Sequence, residues 1–289
     1  MSLAPWTIRD RIFNWGTQTY LMGILNVTPD SFSDGGQFNS VDAAVTQAKE
    51  LAEAGVDMID IGGQSTRPQA VEVDRATEIE RVVPVIQAIR QALSIPISID
   101  TTWAEVAEAA IATGADLIND VSGGSYDPQM FATVAQLKVP IILMHLRGTP
   151  QTMQQLTDYD DLLGDIYSVL EAQIAAAVQA GIDRKAIAID PGIGFAKTGS
   201  QNLEILRHLQ RFQDLNCPIL VGPSRKSFIG KILGQDDPQQ RVWGTAAACC
   251  ASIAGQADIL RIHDGAEMSQ VCRVADAIWR GPVDQTLLQ

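Results

Sequence analysis

Short apolar runs alternate with longer amphipathic segments along almost the whole chain. Each run is continuous and ends at a polar residue, which is typical of strands in a parallel sheet covered by helices. The runs predict strands at residues 21–26, 58–62, 97–100, 117–120, 141–145, 186–190, 219–222 and 259–262. The segments between them predict helices at residues 41–54, 76–93, 102–113, 159–180, 202–215, 238–255 and 266–279.

The first predicted helix shows the spacing on which these assignments depend. Val41, Ala44, Val45, Ala48 and Leu51 recur at intervals of three and four residues and therefore share one face. A glycine follows the helix at position 55, where a helix commonly ends.

Eight strand–helix units in 289 residues predict the α/β class and a (β/α)₈ TIM barrel. A doubly wound sheet is the alternative, but no G-x-G-x-x-G motif follows the first strand, and polar residues end every strand. Residues 6–19 contain Asn14-Trp15-Gly16 between short apolar runs and predict a hairpin that closes the barrel floor. No linker composition separates two parts, so we predict one domain over residues 1–289.

Composition and charge narrow the classes of function. The chain is 46% hydrophobic and carries a formal net charge of -13, so it has no basic surplus for nucleic-acid backbones or anionic membranes. The four cysteines contain no C-x-x-C pair, which favours buried reduced thiols over zinc or disulfides. The N-terminus has no apolar signal region, and the longest run of small apolar residues is too short to span a bilayer. We therefore expect a cytoplasmic protein.

Polar side chains stand at the carboxyl end of every predicted strand, and in a barrel these ends meet on one face. The residues are Asn26, Asp60, Asp100, Asn119, His145, Asp190, the turn 224–226, Arg261 and His263. Any one of them could simply cap the next helix, as Asp100 before Thr101 could. Together they would be costly to desolvate unless a ligand or partners satisfied them.

These residues divide into two chemical groups. Asp100, Asn119, Asp190 and Lys226 supply the acceptors and donors that a flat 2-amino-4-oxo pyrimidine edge requires, such as that of guanine or a pterin. The second group contains Arg67, Arg261 and His263, which suit a phosphate or diphosphate. Asn26 and Asp34 are oxygen ligands suited to Mg²⁺.

Eight ordered motifs resemble those of the dihydropteroate synthase family, which joins a pterin diphosphate to p-aminobenzoate in folate biosynthesis. The motifs are GILNVTPDSFSDGG (23–36), GGQSTRP (62–68), SIDTT (98–102), INDVSGG (118–124), MHLRGTPQTMQ (144–154), DPGIGFAKT (190–198), SRKSFIG (224–230) and RIHD (261–264). They extend over nearly the whole chain. Eight matches in the same order are far more specific than a single DPG or SRK.

The resemblance implies a role for each matching residue. Asp100, Asn119, Asp190 and Lys226 would hold the pterin ring, and Asn26 would bind Mg²⁺ on the diphosphate. The residues that would grip the phosphates are Arg67, Arg261 and His263. The p-aminobenzoate pocket would be lined by Thr66, Pro68, Phe195, Lys226 and Ser227. The family commonly forms homodimers, and the segment 159–180 is a candidate for that contact.

Three positions depart from the family pattern. Gln64 stands where the family usually has Glu, Gln69 where it usually has Gly, and Ala196 where it often has Gly. Ring-binding residues are unaffected, so these changes concern rate and loop closure rather than reaction class. A catalytically weak pterin-binding paralogue, and a pterin-dependent methyltransferase domain on the same barrel, remain as alternatives.

The implied reaction needs no strong base if a neutral arylamine attacks a carbocation that the dihydropterin stabilises. The chain would hold the ring, stabilise the departing diphosphate and position the arylamine. The loop of residues 27–36 would close over the reacting carbon and exclude water. His145 is predicted to be structural, at the border of the pocket.

Overall fold

The computed structural model describes residues 3–28, 36–64 and 73–281, with backbone alone for residues 36–40. The strands are β1 (Trp6–Ile8), β2 (Arg11–Phe13), β3 (Tyr20–Asn26), β4 (Met58–Gly62), β5 (Ile97–Asp100), β6 (Leu117–Asp120), β7 (Ile141–Met144), β8 (Ile187–Asp190), β9 (Leu220–Val221) and β10 (Ile259–Ile262). The α-helices are α1 (Gly36–Glu53), α2 (Arg75–Ala92), α3 (Ala104–Thr113), α4 (Met130–Leu137), α5 (Leu162–Gln179), α6 (Gly199–Arg207), α7 (Ser227–Leu233), α8 (Val242–Ala254) and α9 (Gly265–Trp279). Short 3-10 helices cover Met153–Gln155, Arg184–Ala186, Leu209–Leu215 and Pro238–Arg241.

Strands β3 to β10 form one parallel sheet that closes on itself. Its spatial order is β8-β7-β6-β5-β4-β3-β10-β9, and a parallel bridge between Ile189 and Ile219 joins its two ends. The eight strands follow each other around the circle in chain order. The predicted (β/α)₈ barrel is therefore confirmed, and the doubly wound sheet is excluded.

Successive side chains of each apolar run point alternately to the inside and the outside of the barrel. One set of side chains packs inward against the floor: Met22, Met58, Leu117, Ile142, Ala188, Leu220 and Ile259. Their chain neighbours pack outward against the helices, as Leu21, Ile59, Ile118 and Leu260 do. Because side chains alternate along a strand, the residue two positions after each floor residue also points inward. This rule decides which strand-end residues enter the site.

The N-terminal segment closes the floor as predicted. β1 and β2 pair antiparallel, with Trp6 opposite Phe13. Trp6 and Trp15 meet edge to face with ring centroids 5.1 Å apart, and Phe13 lies 4.8 Å from Tyr20. These rings pack on the inward residues of the strands and seal the barrel interior from below.

Three aspartates hold neighbouring strands together at the floor. Asp57 accepts a hydrogen bond from Leu21 N at 2.8 Å, Asp116 from Ile97 N at 2.9 Å, and Asp258 from Ile219 N at 3.0 Å. Two of them end similar five-residue sequences, A-T-G-A-D at residues 112–116 and E-A-G-V-D at residues 53–57. The recurrence is thus a structural device that sets strand register, rather than a repeat of function.

The predicted helices differ from the observed ones mainly at their ends. The predicted helix at 202–215 divides at His208 into α6 and a 3-10 helix, and α3 begins at Ala104, whose N–H donates to Asp127. Helices α4 and α7 were not predicted; both are eight residues or shorter. In the described residues, no helix combines the length and apolar character that crossing a bilayer requires. A single domain over residues 1–289 stays a prediction.

Candidate active site

Five inward residues form a polar layer at the carboxyl ends of the strands. Asp60, Asn119, Asp190 and Arg261 lie two residues beyond floor residues on β4, β6, β8 and β10, respectively. Asp100 lies two residues beyond the buried Ser98 on β5. All four acidic and amide side chains are almost completely buried. The apolar floor beneath them excludes water, which strengthens every interaction among them.

Arg261 links two of these carboxylates. Its Nε donates to Asp60 Oδ2 at 2.5 Å and its Nη2 to Asp100 Oδ2 at 2.7 Å. Asn119 Nδ2 donates to the same Asp60 oxygen at 3.1 Å. Burial alone would lower the pKa of Arg261, but the adjacent carboxylates raise it, so the guanidinium remains charged. Sequence reasoning grouped Arg261 with the phosphate-binding residues, whereas the structure places it among the carboxylates of the ring-binding group.

The sequence pattern places Asp60 at a strand end but gives it no role in either chemical group of the site. The structure makes it the shared acceptor of Arg261 and Asn119, with no exposed surface. The inward alternation from Met58 could have identified it. Its role is to orient two side chains, because its Oδ2 atom is already occupied by both.

Asp100 is the acid of this layer whose charge changes near neutrality. Burial raises the pKa of its carboxyl group to about 7; Arg261 opposes the increase, and the nearby Asp60 and Glu78 add to it. A ligand that donates hydrogen bonds to Asp100 would therefore favour its ionised form.

Asp190 and Lys226 form the opposite side of the layer. Asp190 Oδ1 accepts from Gly192 N at 2.7 Å, and burial raises its pKa to about 6 against this bond and the charge of Lys226. Lys226 Nζ lies 4.3 Å from the centre of the Phe195 ring, a cation–π contact. Burial lowers the pKa of Lys226 to about 8, which Asp190 opposes.

His263 and the turn 224–226 are joined by hydrogen bonds. Ser224 Oγ accepts from His263 N at 3.2 Å and forms a second hydrogen bond, 2.9 Å long, with His263 Nδ1. Arg225 pairs with Asp264, which fixes the turn beside β10. Ser227 follows as the exposed first residue of α7.

Four predicted site residues lie at or beyond the edges of the described chain. Asn26 ends β3, is half-buried and lies opposite Gly62. Thr66, Arg67 and Pro68 fall outside the described residues, as do Asp34 and Gln69. The proposed contact of Arg67 with phosphate therefore stays a prediction. Within the described ranges, no group of three His, Cys, Asp or Glu side chains could hold a metal.

A cavity of about 270 Å³ opens beside Asp100. Its lining consists of Gln64, Glu78, Asp100, Thr101, Thr102, Trp103, Val121, Tyr126, Leu146, Thr149, Pro150, Gln151 and Phe195. Glu78 is 1% exposed, and neither carboxylate oxygen completes a hydrogen bond within the described part of the chain. Burial raises its pKa to about 7, with the Thr101 hydroxyl and Arg81 opposing.

Glu78 and Lys197 are buried charged residues that sequence reasoning missed. Glu78 lies on the same buried face of α2 as Val82, Val85 and Ile89, a position where a carboxylate is unusual and could have been noticed. Lys197 is 3% exposed. It lies inside the DPGIGFAKT motif, but no local pattern indicates that its side chain turns inward.

Comparison with known proteins identifies the family. Residues 22–263 match the family model described as pterin binding enzyme. A dihydropteroate synthase of Synechocystis sp. is 58% identical over 276 residues, which cover 96% of each chain.

The chain belongs to the dihydropteroate synthase family.

Solved structures of this family have the same fold. The enzyme of Clostridium difficile, solved in the presence of pteroic acid, has a TM-score of 0.88 and 44% identity and covers 93% of this chain and 99% of its own. The enzyme of Xanthomonas albilineans with 4-aminobenzoic acid has a TM-score of 0.89 and 41% identity, covering 96% and 98%. The activity of the chain is that of a transferase that forms a carbon–nitrogen bond in folate biosynthesis.

Two departures from the family pattern can be located. Gln64 lines the cavity with Glu78 and Asp100. A Glu at this position would place a third carboxyl group beside two buried ones, and the Gln64 amide does not. Ala196 has a φ of +50°, a left-handed conformation that favours glycine. The conformation, rather than space for a side chain, explains why glycine suits that position.

Proposed function

We propose that the chain condenses 6-hydroxymethyl-7,8-dihydropterin diphosphate with p-aminobenzoate to give 7,8-dihydropteroate and diphosphate. The observation that carries this proposal is the buried layer of Asp60, Asp100, Asn119, Asp190 and Arg261 beside a cation–π pair. The layer offers alternating donors and acceptors on buried side chains, which a flat 2-amino-4-oxo ring matches.

Asp190 is the residue best suited to the amino edge of the pterin. Among the described residues, Gly192 N is the one donor to its carboxylate, at Oδ1, so acceptor capacity remains for paired N–H donors of the ring. Asp100 and Asn119 would contact the pterin ring that does not carry the amino group, and Lys226 would donate to a ring acceptor. Asp60 would keep Asn119 and Arg261 in place through its Oδ2 atom.

The reaction would proceed through cleavage of the CH₂–O bond with charge developing on the pterin side. The arylamine nitrogen then attacks the carbon, and its proton leaves to solvent or a nearby acceptor. The tasks of the protein are to hold both reactants in line and stabilise the departing diphosphate. Arg261 has one nitrogen, Nη1, that makes no hydrogen bond to the described residues, so one arginine can be anchored by carboxylates and still bind phosphate.

Arg67 and His263 would complete the grip on the diphosphate. His263 stands at the mouth, with its ring oriented by Ser224. The p-aminobenzoate pocket would be formed by Phe195, Lys226 and Ser227, together with Thr66 and Pro68. The cation–π contact between Lys226 and Phe195 would set the width of this pocket.

Mg²⁺ is proposed as the metal, with Asn26 as its protein ligand. The donor chemistry fits, because Asn26 presents an amide oxygen at the mouth, and Mg²⁺ commonly uses few protein ligands together with substrate phosphates. When bound, the ion would neutralise charge on the leaving diphosphate.

A homodimer in the cytoplasm is also proposed. Large exposed apolar side chains concentrate on α7, α8 and α9: Ile232, Leu233, Trp243, Val274, Ile278 and Trp279. Helix α5, the segment predicted from sequence, exposes Val169 and Val178 to a smaller degree. The three C-terminal helices are therefore the better candidate for the dimer contact. The four cysteines are free thiols, which suits a reducing compartment.

A two-substrate assay tests the reaction. Purified protein is mixed with Mg²⁺, the pterin diphosphate and p-aminobenzoate, and diphosphate release is measured. Release that requires both substrates, and that sulfonamide analogues of p-aminobenzoate inhibit, supports the proposal. Pterin binding without release would instead indicate a weak paralogue, and methyl transfer from a methylated folate would indicate the methyltransferase.

A further inference from the structure

Lys197 is a buried cation that forms no ion pair with any residue the structure describes. Its Nζ lies 3.0 Å from His145 Nδ1 and 2.9 Å from Phe195 O. No carboxylate of the described residues lies within ion-pair distance of it. Burying an ammonium group in this way costs stability. The residue is therefore poorly explained as a stabilising contact, and a role in the adjacent site is the better explanation.

Both partners of Lys197 belong to segments that shape Asp190. His145 N donates to Asp190 O at 2.9 Å, and Gly192 N donates to Asp190 Oδ1 at 2.7 Å. A side chain at position 192 would meet His145 O at 2.2 Å and Lys197 Nζ at 3.2 Å. The end of β7, the loop after β8 and the lysine thus form one closely packed unit behind the Asp190 carboxylate.

The same unit holds an unfavourable backbone conformation. Ala196 has a φ of +50°, a left-handed conformation that is unfavourable for a non-glycine residue. Tyr159 OH donates to Ala196 O at 3.0 Å, and Lys197 Nζ donates to the carbonyl of the preceding residue. These two bonds fix the backbone on either side of the strained position and thereby orient the Phe195 ring against Lys226.

We propose that Lys197 is a positioning residue of the pterin site, which holds Phe195 in place and keeps Asp190 ionised for the pterin edge. This inference rests on the proposed function of Asp190. His145 makes this contact in its neutral form. A protonated lysine can only donate, so Nδ1 accepts and the ring proton is on Nε2.

The charges of the unit agree with this role. Burial lowers the pKa of Lys197 to about 7, and the Asp190 carboxylate opposes the decrease. Burial raises the pKa of Asp190 to about 6, and the Gly192 hydrogen bond and the charges of Lys226, Lys197 and Arg261 oppose this increase. Below pH 7 the lysine is protonated, so it supports the ionised carboxylate in the range where Asp190 would otherwise take up a proton.

The test compares Lys197→Met with Lys185→Met. Lys185 is an exposed lysine just before β8 and serves as the control. Binding of 6-hydroxymethylpterin is measured by calorimetry from pH 5.5 to 8.5. An opposite charge nearby commonly moves a pKa by one unit or more. We therefore expect the acidic limit of binding in Lys197→Met to move about one pH unit higher, with about fivefold weaker binding at pH 6. Lys185→Met should match the wild type.

A second variant separates charge from tethering. Tyr159→Phe removes the bond to Ala196 O but no positive charge, so it should weaken binding at every pH without moving the acidic limit. If Lys197→Met keeps the wild-type affinity and pH limit, the inference is wrong. The same holds if Tyr159→Phe shifts the limit as far as Lys197→Met does. A wild-type protein that binds no pterin would overturn the proposed function itself, which is a different result.

Discussion

Glu78→Gln exchanges the buried carboxyl group of α2 for an amide of nearly the same shape. The pKa of Glu78 is raised by burial from 4.5 to about 7, so the folded protein binds this proton more tightly than the unfolded chain does. The contribution of Glu78 to stability is therefore fully present below pH 4.5 and is lost as the pH rises through 7. Glutamine cannot ionise and does not undergo this loss.

The size of the effect follows from the two pKa values. The interval between 4.5 and about 7, at about 1.4 kcal/mol for each factor of ten, gives an upper value of about 3 kcal/mol. Because Glu78 is only 1% exposed, solvent screening reduces this value little. The free energy of unfolding of Glu78→Gln minus that of the wild type should therefore increase by up to about 3 kcal/mol between pH 4.5 and pH 8.5.

Urea unfolding at pH 4.5, 7 and 8.5 measures this difference directly. Glu80→Gln is the matched control, since it removes the same charge from an exposed position on the same helix. The Glu78 charge also raises the pKa of Asp100, so its removal in Glu78→Gln eases the ionisation of Asp100 and changes the stability difference in the same direction. The reasoning is refuted if the stability difference between Glu78→Gln and the wild type is the same at all three pH values, or if it falls as the pH rises.

Three further predictions concern other parts of the molecule. Arg261→Ala should reduce kcat/KM by about a thousandfold or more in the diphosphate-release assay, because it leaves Asp60 buried without its cation and removes a contact to the leaving group. A kcat/KM within tenfold of the wild-type value would contradict the assigned role. Asp258→Ala should lower the free energy of unfolding by about 2–4 kcal/mol in urea, since two backbone N–H groups lose their acceptor, while kcat stays near wild type because the residue lies at the floor. Ile278→Asp should give a monomer in light scattering where Val178→Asp does not, and the opposite pattern would return the dimer contact to α5.

The barrel itself could be predicted because its signals are local. Continuous apolar runs such as 97–100 and 259–262 coincide with β5 and β10 residue for residue. Strand β9 is shorter than predicted, since Ile219 donates its N–H to Asp258 and joins β8 only through an isolated bridge. Helix ends were less predictable, because tertiary contacts such as that between Ala104 and Asp127 determine where the first turn begins.

The partners within the site could not be predicted. Arg261 and Asp60 are 201 residues apart in sequence, and no local pattern indicates that they form an ion pair. Glu78 and Lys197 are ordinary charged residues in the sequence, and only packing removes them from water. The motifs located the site because they stand at strand ends, but they did not indicate which side chains bind each other.

The sequence by itself determined eight strands, the helices that follow seven of them, a hairpin at the floor, and a polar residue at the end of each strand. These features depend on the spacing of apolar residues and on turn chemistry, which neighbouring residues set. The tertiary structure alone decided that Arg261 lies between Asp60 and Asp100, and that Lys197 contacts His145 and Phe195 behind Asp190. The physical reason is that closing the sheet brings distant strands together, and the two-residue alternation then selects the side chains that face inward.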